Sequence, residues 1–489
     1  MKESGNPLFD FILFGGSGDL ALRKLLPALY HIYRATPFQP GTRIISVGRS
    51  SLRREVYLEQ VEAKLQQYLP VESWDEVGWQ QFSKHLHYVS IDAYKSETYR
   101  ALKEHLSSDQ RPRVFYFSTH SSLYGVIASS LGSHGYITPD SRVVLEKPIG
   151  RDLASAKTIT GQMSNFFTEP QIYRIDHYLG KETVQNLLVL RFANPLFESL
   201  WNHNYIDHIQ ISISESIGVE GRGEFYEETG ALRDIVQNHL LQMLCIVAME
   251  PPNNLDADRI RDEKLKVLRS LRPVQDGNIN QQVVRGQYTA GVVDGKVAAG
   301  YCEEEGVSDN SNIETFVALK VSIDNMRWSG VPFYLRTGKR LPRRSCEIVV
   351  QFKEIPHWIF ASAKGQMMNN QLVITLQPNE SITLKICGKR FGPGMDVRSI
   401  DLNLSPTFRA NKRAPEAYER LLLDVVKGDP TLFLRQDELE EAWAWADPIL
   451  AHWESSSAPP EYYASGSWGP AGSTLLLAQD GRVWYEGVK

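Results

Sequence analysis

Apolar and polar positions change their period about a third of the way along the chain. Short apolar runs at Phe9–Phe14, Ile44–Val47, Leu86–Ile91, Val114–Phe117 and Val143–Leu145 alternate with helical stretches. The first of these stretches sets Leu20, Leu25, Leu26 and Leu29 on one broad face. Buried strands separated by helices predict a doubly wound parallel sheet, and Ile172–Ile175 closes that domain. Further on, Ile209, Ile211 and Ile213 alternate with polar residues, as on a strand with one covered face. Strand patterns recur at Thr315–Ile323, Glu347–Phe352, Leu372–Leu376, Ile382–Ile386 and Ile400–Leu404. Little helix separates several of them, which predicts a large, mostly antiparallel sheet. Two helices stand out near residues 230–249 and 415–426. The fold class is therefore α/β plus α+β, with one domain over residues 1–175 and a second over 176–489.

Composition sharpens this picture only a little. With 42% hydrophobic and 23% charged residues, a chain of 489 residues can bury sizeable cores. The net charge of −5 gives no electrostatic case for nucleic acid or an anionic membrane. No apolar run is long enough to span a bilayer, and MKESGNPLFD has no signal-peptide core. The four cysteines include no close pair, which fits reduced thiols in a cytoplasmic protein with no metal site and no disulfide frame. The Ser-, Pro- and Gly-rich stretch 455–473 has the composition of a linker. Its aromatics Tyr462, Tyr463 and Trp468 argue instead for a packed, irregular tail.

Chemistry enters with Gly15-Gly16-Ser17-Gly18-Asp19-Leu20-Ala21, between the first strand and the first helix. Gly15 allows a tight turn, Gly18 lets backbone approach a pyrophosphate, and Ala21 allows close helix packing. The spacing is GxxGxxA and not GxGxxG, so its place after a strand and before a helix is what makes a Rossmann-like reading. The end of the second strand carries no acid for ribose hydroxyls before Glu55. Arg49 is suited to a 2′-phosphate, so NADP is favoured over NAD as cofactor. Arg53 and Arg54 read as a solvated loop.

Three further clusters concentrate reactive groups. Arg174-Ile175-Asp176-His177-Tyr178-Leu179-Gly180-Lys181-Glu182 follows directly on the last strand of the first domain. Arg233-Asp234-Ile235-Val236-Gln237-Asn238-His239 lies on the first of the two helices, where Asp234 and Asn238 share a face. A lone histidine in such an apolar run is more often a satisfied core residue than a catalyst. Leu335-Arg336-Thr337-Gly338-Lys339, with Arg343 and Arg344 beyond, offers cations suited to a phosphate.

Together these segments resemble the glucose-6-phosphate dehydrogenase family of the bacterial type along nearly the whole chain. The matching stretches are GGSGDLA, EKPIGRDL, RIDHYLGKE, ESIGVEGRG, RDIVQNHLLQ, GVPFYLRTGKRL, LQPNE, EAYERLLLDV and WGP. The resemblance implies oxidation of D-glucose 6-phosphate at carbon 1 to 6-phospho-D-glucono-1,5-lactone, the first step of the oxidative pentose phosphate pathway. It implies that His239 is the general base and Asp176 its carboxylate partner. His177, Tyr178 and Lys181 match the phosphate grip, while Lys339 and Arg344 match further substrate contacts. Glu215, Asp234 and Gln377 match sugar-binding positions, and Lys147 matches a residue between cofactor and sugar. Pro148 is expected after a cis peptide bond. Gly15 to Ala21, Arg49 and Tyr124 match cofactor contacts. A homodimer or homotetramer is implied, with the large sheet as interface.

Two departures stand out. Where the family often has a Pro-Pro pair after the fourth strand, this chain reads Ser118-Thr119-His120-Ser121. At two positions where animal members hold a second, structural NADP with basic residues, it has Ser345 and Thr375, so no structural NADP is expected. Another sugar oxidoreductase would explain the first domain equally well, but not RIDHYLGKE combined with QNHLLQ. An inactive phosphosugar- or NADP-sensing protein would usually have lost its base or carboxylate, and both are present.

Overall fold

The computed structural model describes residues 7–106, 111–274, 277–360, 369–405, 415–456 and 458–487. The first six residues of the N-terminal segment, and residue 457 of the Ser/Pro/Gly-rich stretch, lie outside them. The chain divides into two compact units. One comprises Met1–Gly180, Asn254–Arg261 and Arg413–Glu440, the other Lys181–Asn253, Asp262–Lys412 and Glu441–Lys489.

In the first unit, six parallel strands form the expected sheet: β1 (Asp10–Phe14), β2 (Arg43–Gly48), β3 (Leu86–Ser90), β4 (Arg113–Phe117), β5 (Ser141–Leu145) and β6 (Ile172–Ile175). Their order is β6-β5-β4-β1-β2-β3, so the direction of winding reverses between β1 and β4. All five residues of β1 are buried, as its apolar run requires. The sheet continues beyond β6. The short strand Phe433–Leu434 returns more than 250 residues later in sequence and pairs antiparallel with β6, Phe433 opposite Ile175. Helix Ala417–Lys427 comes with it, and its Leu421, Leu422 and Val425 join the core formed by Phe11, Leu25 and Tyr173. The physical reason is one amphipathic face: these apolar residues recur at helical spacing and cover the sheet. A single boundary near residue 175 therefore understates the first unit, which also takes residues from far along the chain.

In the second unit, a nine-stranded sheet runs in the order Val397–Asn403, Ser381–Lys389, Gln371–Gln377, Ser345–Phe352, Ile206–Ser214, Phe333–Gly338, Phe316–Val321, Val283–Thr289 and Glu461–Ala464. It is mostly antiparallel. Two pairs are parallel, Ile206–Ser214 with Phe333–Gly338, and Val283–Thr289 with Glu461–Ala464. The second pair settles the C-terminal stretch, because Tyr463 is buried in an edge strand while Tyr462 faces out. Trp468 lies under the Arg336 guanidinium at 4.9 Å, and Trp484 lies 4.3 Å from it. Burial between these rings pushes the Arg336 pKa down to about 10.

The helix from residue 230 begins differently from its pattern. Helix Gly223–Ala231 breaks at Gly230, whose φ is 67°. The chain then runs through a π-helical segment, Leu232–Leu240, into α-helix Leu241–Ala248.

Asp424, near the end of helix Ala417–Lys427, provides a pH test of the first unit. Partial burial, with Asp429 adding to it, pushes its carboxyl up to about 6 from 3.8. Ionisation there is unfavourable, as expected for an anion at a helix C-terminus. Stability is thus lost as pH rises through about 6 and is fully present below about 4. Asp424→Asn should raise the thermal midpoint by about 2–4 °C at pH 8, for on the order of 1 kcal/mol after solvent screening. The gain should vanish at pH 4. Equal gains at both pH values would show that the carboxyl does not titrate as argued.

Candidate active site

The glycine turn of the first unit is built for close approach. Gly15 has φ 79°, in the left-handed region. The N–H groups of Gly15 and Gly16 both donate to the Val47 carbonyl at 2.9 Å, and Gly18 donates to the Gly15 carbonyl at 2.9 Å. A side chain at Gly15 would run into the Ser118 carbonyl, and one at Gly16 into Ser46. The Ser118–Ser121 loop is thus packed directly on the turn. Its His120 imidazole accepts the Ser122 N–H at 3.3 Å. Ser17, Gly18 and Asp19 line the open side, and Asp19 pairs with Arg23 at 3.6 Å. Leu20 is half-buried, and Ala21 is fully buried under a π-helical turn, Ala21–Leu25. A helix start with free N–H groups at the switch point of a doubly wound sheet fits a dinucleotide pyrophosphate. Arg49 stands exposed one residue beyond β2. Arg54 is not part of a solvated loop: it donates to the Leu86 and Ser83 carbonyls at 2.8 and 2.7 Å.

Glu146 follows directly on β5, and the Lys147–Pro148 peptide is cis, as expected. Glu146 is buried, and burial raises its carboxyl pKa. The Tyr116 hydroxyl donates to this carboxylate, as does that of Tyr418 at 3.3 Å. Tyr124 is 1% exposed, and its hydroxyl donates to the Glu146 carbonyl at 2.9 Å. That bond holds the start of the Lys147 turn. Tyr418 also stacks parallel to His177, with centroids 6.1 Å apart and planes 7° apart. Beside it, buried Asp176 accepts the Tyr178 N–H at 2.9 Å, which tightens the turn after β6.

In the second unit Glu215, Asp234 and Lys339 gather around Tyr226. The parallel pairing of Ile206–Ser214 with Phe333–Gly338 sets Ser214 opposite Gly338, so Glu215 and Lys339 emerge side by side. The Lys339 ammonium meets the Glu215 carboxylate at 2.6 Å and lies 5.1 Å from the centre of the Tyr226 ring. Burial raises the Tyr226 phenol pKa, and the charges of Asp234, Glu314 and Glu215 raise it further. Asp234 and His239 are five residues apart, and the wider π-helical turn brings such a pair close to one face. His239 is 1% exposed, and its backbone N–H donates to the Asn238 side-chain oxygen at 2.6 Å.

Lys181, buried before helix Glu182–Phe192, reaches the Leu376 carbonyl at 3.5 Å. The Thr183 N–H donates to Glu380 at 2.9 Å, which ties this helix start to the LQPNE stretch. Gln377 ends strand Gln371–Gln377, and a second cis peptide follows it. Arg344 is exposed before strand Ser345–Phe352.

Comparison with known proteins now decides the family. The NAD-binding domain model of glucose-6-phosphate dehydrogenase matches residues 12–186, and the C-terminal domain model matches residues 188–485. The chain belongs to the glucose-6-phosphate dehydrogenase family. It is 49% identical over 483 residues to glucose-6-phosphate 1-dehydrogenase of Rhizobium meliloti, covering 98% of each chain. To that of Mycolicibacterium smegmatis it is 48% identical, again over 98% of each. A crystal structure of the Mycobacterium avium protein matches with a TM-score of 0.86 at 33% identity, covering 99% of this chain and all of that one. A glucose-6-phosphate dehydrogenase solved in complex with its substrate glucose 6-phosphate matches with a TM-score of 0.90 at 35% identity and the same coverage.

Residue patterns alone missed Glu146, Tyr418, Tyr226 and Glu314. Glu146 and Tyr418 lie inside the EKP and EAYERL stretches of this glucose-6-phosphate dehydrogenase family member, so the motifs marked the segments without marking these roles. The glycine turn yields a direct test. Gly15→Ala adds a side chain where φ is positive and the Ser118 carbonyl fills the space. Cofactor affinity should fall at least about tenfold in fluorescence titration, for a strain of about 1–3 kcal/mol. Unchanged affinity would remove the turn from cofactor binding.

Proposed function

We propose that the protein oxidises D-glucose 6-phosphate at carbon 1 to 6-phospho-D-glucono-1,5-lactone, with NADP preferred over NAD as hydride acceptor. The observation that supports the reading is the π-helical segment that carries both Asp234 and His239, with Asp234 acting on the same Tyr226 ring that the Lys339–Glu215 pair adjoins. In this reading His239 takes the proton from the anomeric hydroxyl as hydride leaves carbon 1. Asp176 is the carboxylate that orients the imidazole and offsets its charge. His177, Tyr178, Lys181, Lys339 and Arg344 bind the substrate, with the phosphate as the main anchor. Glu215, Asp234 and Gln377 accept hydrogen bonds from sugar hydroxyls. When bound, the nicotinamide supplies the hydride acceptor. Gly15 to Ala21 hold its pyrophosphate, Lys147 approaches both ligands, and Arg49 faces the 2′-phosphate.

Support for NADP is the exposed Arg49 beyond β2 and the lack of an acid before Glu55. The first unit serves as the cofactor domain, and the second as the substrate and self-association domain of a cytoplasmic homodimer or homotetramer. Support for the absence of a structural NADP is that the Ser345 hydroxyl is engaged with Ser214 at 2.8 Å.

His239→Asn should lower turnover with glucose 6-phosphate by about a hundredfold to ten-thousandfold, with KM nearly unchanged. Near-normal turnover would remove His239 from its role. Reduced-cofactor absorbance followed with NADP and then with NAD tests the preference, and equal kcat/KM would overturn it. Purified protein should carry no NADP beyond one per subunit at saturation. A second, non-exchanging equivalent would contradict this.

A further inference from the structure

Glu314 and Thr315 lie between two parts of the second unit that the proposed reaction needs in register, and neither residue has been given a part in it. Glu314 is 4% exposed. Its carbonyl accepts the Ala231 N–H at 3.0 Å, and its carboxylate accepts the Leu232 N–H, also at 3.0 Å. Leu232 opens the π-helical segment that carries Asp234 and His239. The first N–H groups of a helix have no partner within it, so Glu314 caps this segment through both backbone and side chain. Gly230 completes the arrangement. It breaks the preceding helix at φ 67°, and a Cβ there would collide with the Glu314 carboxylate.

Thr315 faces the other way, as the next residue of an extended chain does. Its carbonyl accepts the Lys339 N–H at 3.0 Å, and its own N–H donates to the Gly286 carbonyl at 2.8 Å. The Tyr463 hydroxyl donates to the Lys339 carbonyl at 2.7 Å and meets the Thr315 hydroxyl at 3.1 Å. Two adjacent residues therefore hold the helix of the base on one side and the backbone of the phosphate-binding lysine on the other.

We propose that Glu314 is a positioning residue for proton transfer: with Thr315 it clamps the segment bearing His239 in register with Lys339. The proposal rests on His239 being the base. Its working part is the acceptor oxygen at the helix start, which the carboxylate supplies in either protonation state. Glutamine supplies the same acceptor at the same length, and alanine supplies none.

The test compares Glu314→Gln, Glu314→Ala, Gly230→Ala and His239→Asn in the full-length protein. Glu314→Ala should lower kcat about tenfold to a hundredfold, the scale of a small displacement of a reacting group. KM for glucose 6-phosphate should stay within about threefold, because Lys339 keeps its bond to Thr315. Glu314→Gln should keep kcat within about threefold of the parent. Gly230→Ala, which pushes the carboxylate off the helix start, should reproduce the kcat loss. An unchanged kcat in Glu314→Ala, or equal losses in the Gln and Ala variants, would overturn the clamp. If Glu314→Ala fails to fold, Gly230→Ala decides, and normal kcat there overturns it too. His239→Asn separates the two readings. If that variant is inactive while Glu314→Ala turns over normally, only the clamp falls. If His239→Asn turns over normally, the base reading falls and the clamp with it.

Discussion

One parallel pair inside an otherwise antiparallel neighbourhood fixes the chemistry of the second unit. Ile206–Ser214 and Phe333–Gly338 run side by side in the same direction, with Ser214 opposite Gly338. Parallel neighbours leave the sheet at the same end, so the residues that follow them, Glu215 and Lys339, must emerge together. Parallel pairing also demands a long crossover. Here the crossover contains the helix of His239 and the strand entered through Glu314 and Thr315. An antiparallel pairing at this place would send Lys339 to the opposite edge and leave Glu215 with no cation beside it.

Buried carboxylates recur where the chain must hold a turn still. Glu146 and Glu314 are both enclosed, and burial raises both of their pKa values. Each accepts hydrogen bonds from neutral donors, tyrosine hydroxyls for Glu146 and a helix-start N–H for Glu314, with Lys147 acting on the first and Arg233 and Arg285 on the second as more distant charges. Such groups are costly to bury and costlier to leave half-satisfied, so they fix one geometry of their surroundings. Glu215 differs, because it faces Lys339 as an ion pair.

The strand periods were legible because burial on one or both faces of a sheet writes directly into the residue pattern. Five of the six parallel strands follow their apolar runs within two residues at each end, and β6 matches Ile172–Ile175 outright. Phe433–Leu434 was not legible: two apolar residues carry no period, and only the partner β6 makes them a strand. Helix Ala417–Lys427 was legible as a helix, but the core it joins was not, since an apolar face does not name the surface it covers. The π-helical segment was equally silent. Spacing arguments assume an α-helical turn, and that assumption pairs Asp234 with Asn238 while the wider turn also brings in His239.

Motifs and physics then divided the site between them. RIDHYLGKE and LRTGK show charge density in the sequence, because cations have to be present as residues. The groups that hold them do not. Tyr418 is one more aromatic on an amphipathic helix until the parallel His177 ring and the Glu146 carboxylate are seen on either side of it. Glu314 is one more acid before a strand until its two bonds to the start of the His239 helix are counted. Residues that touch a ligand are chosen for their chemistry and can be read as such. Residues that hold those in place are chosen for where the fold puts them, and their role follows only from the path of the chain around them.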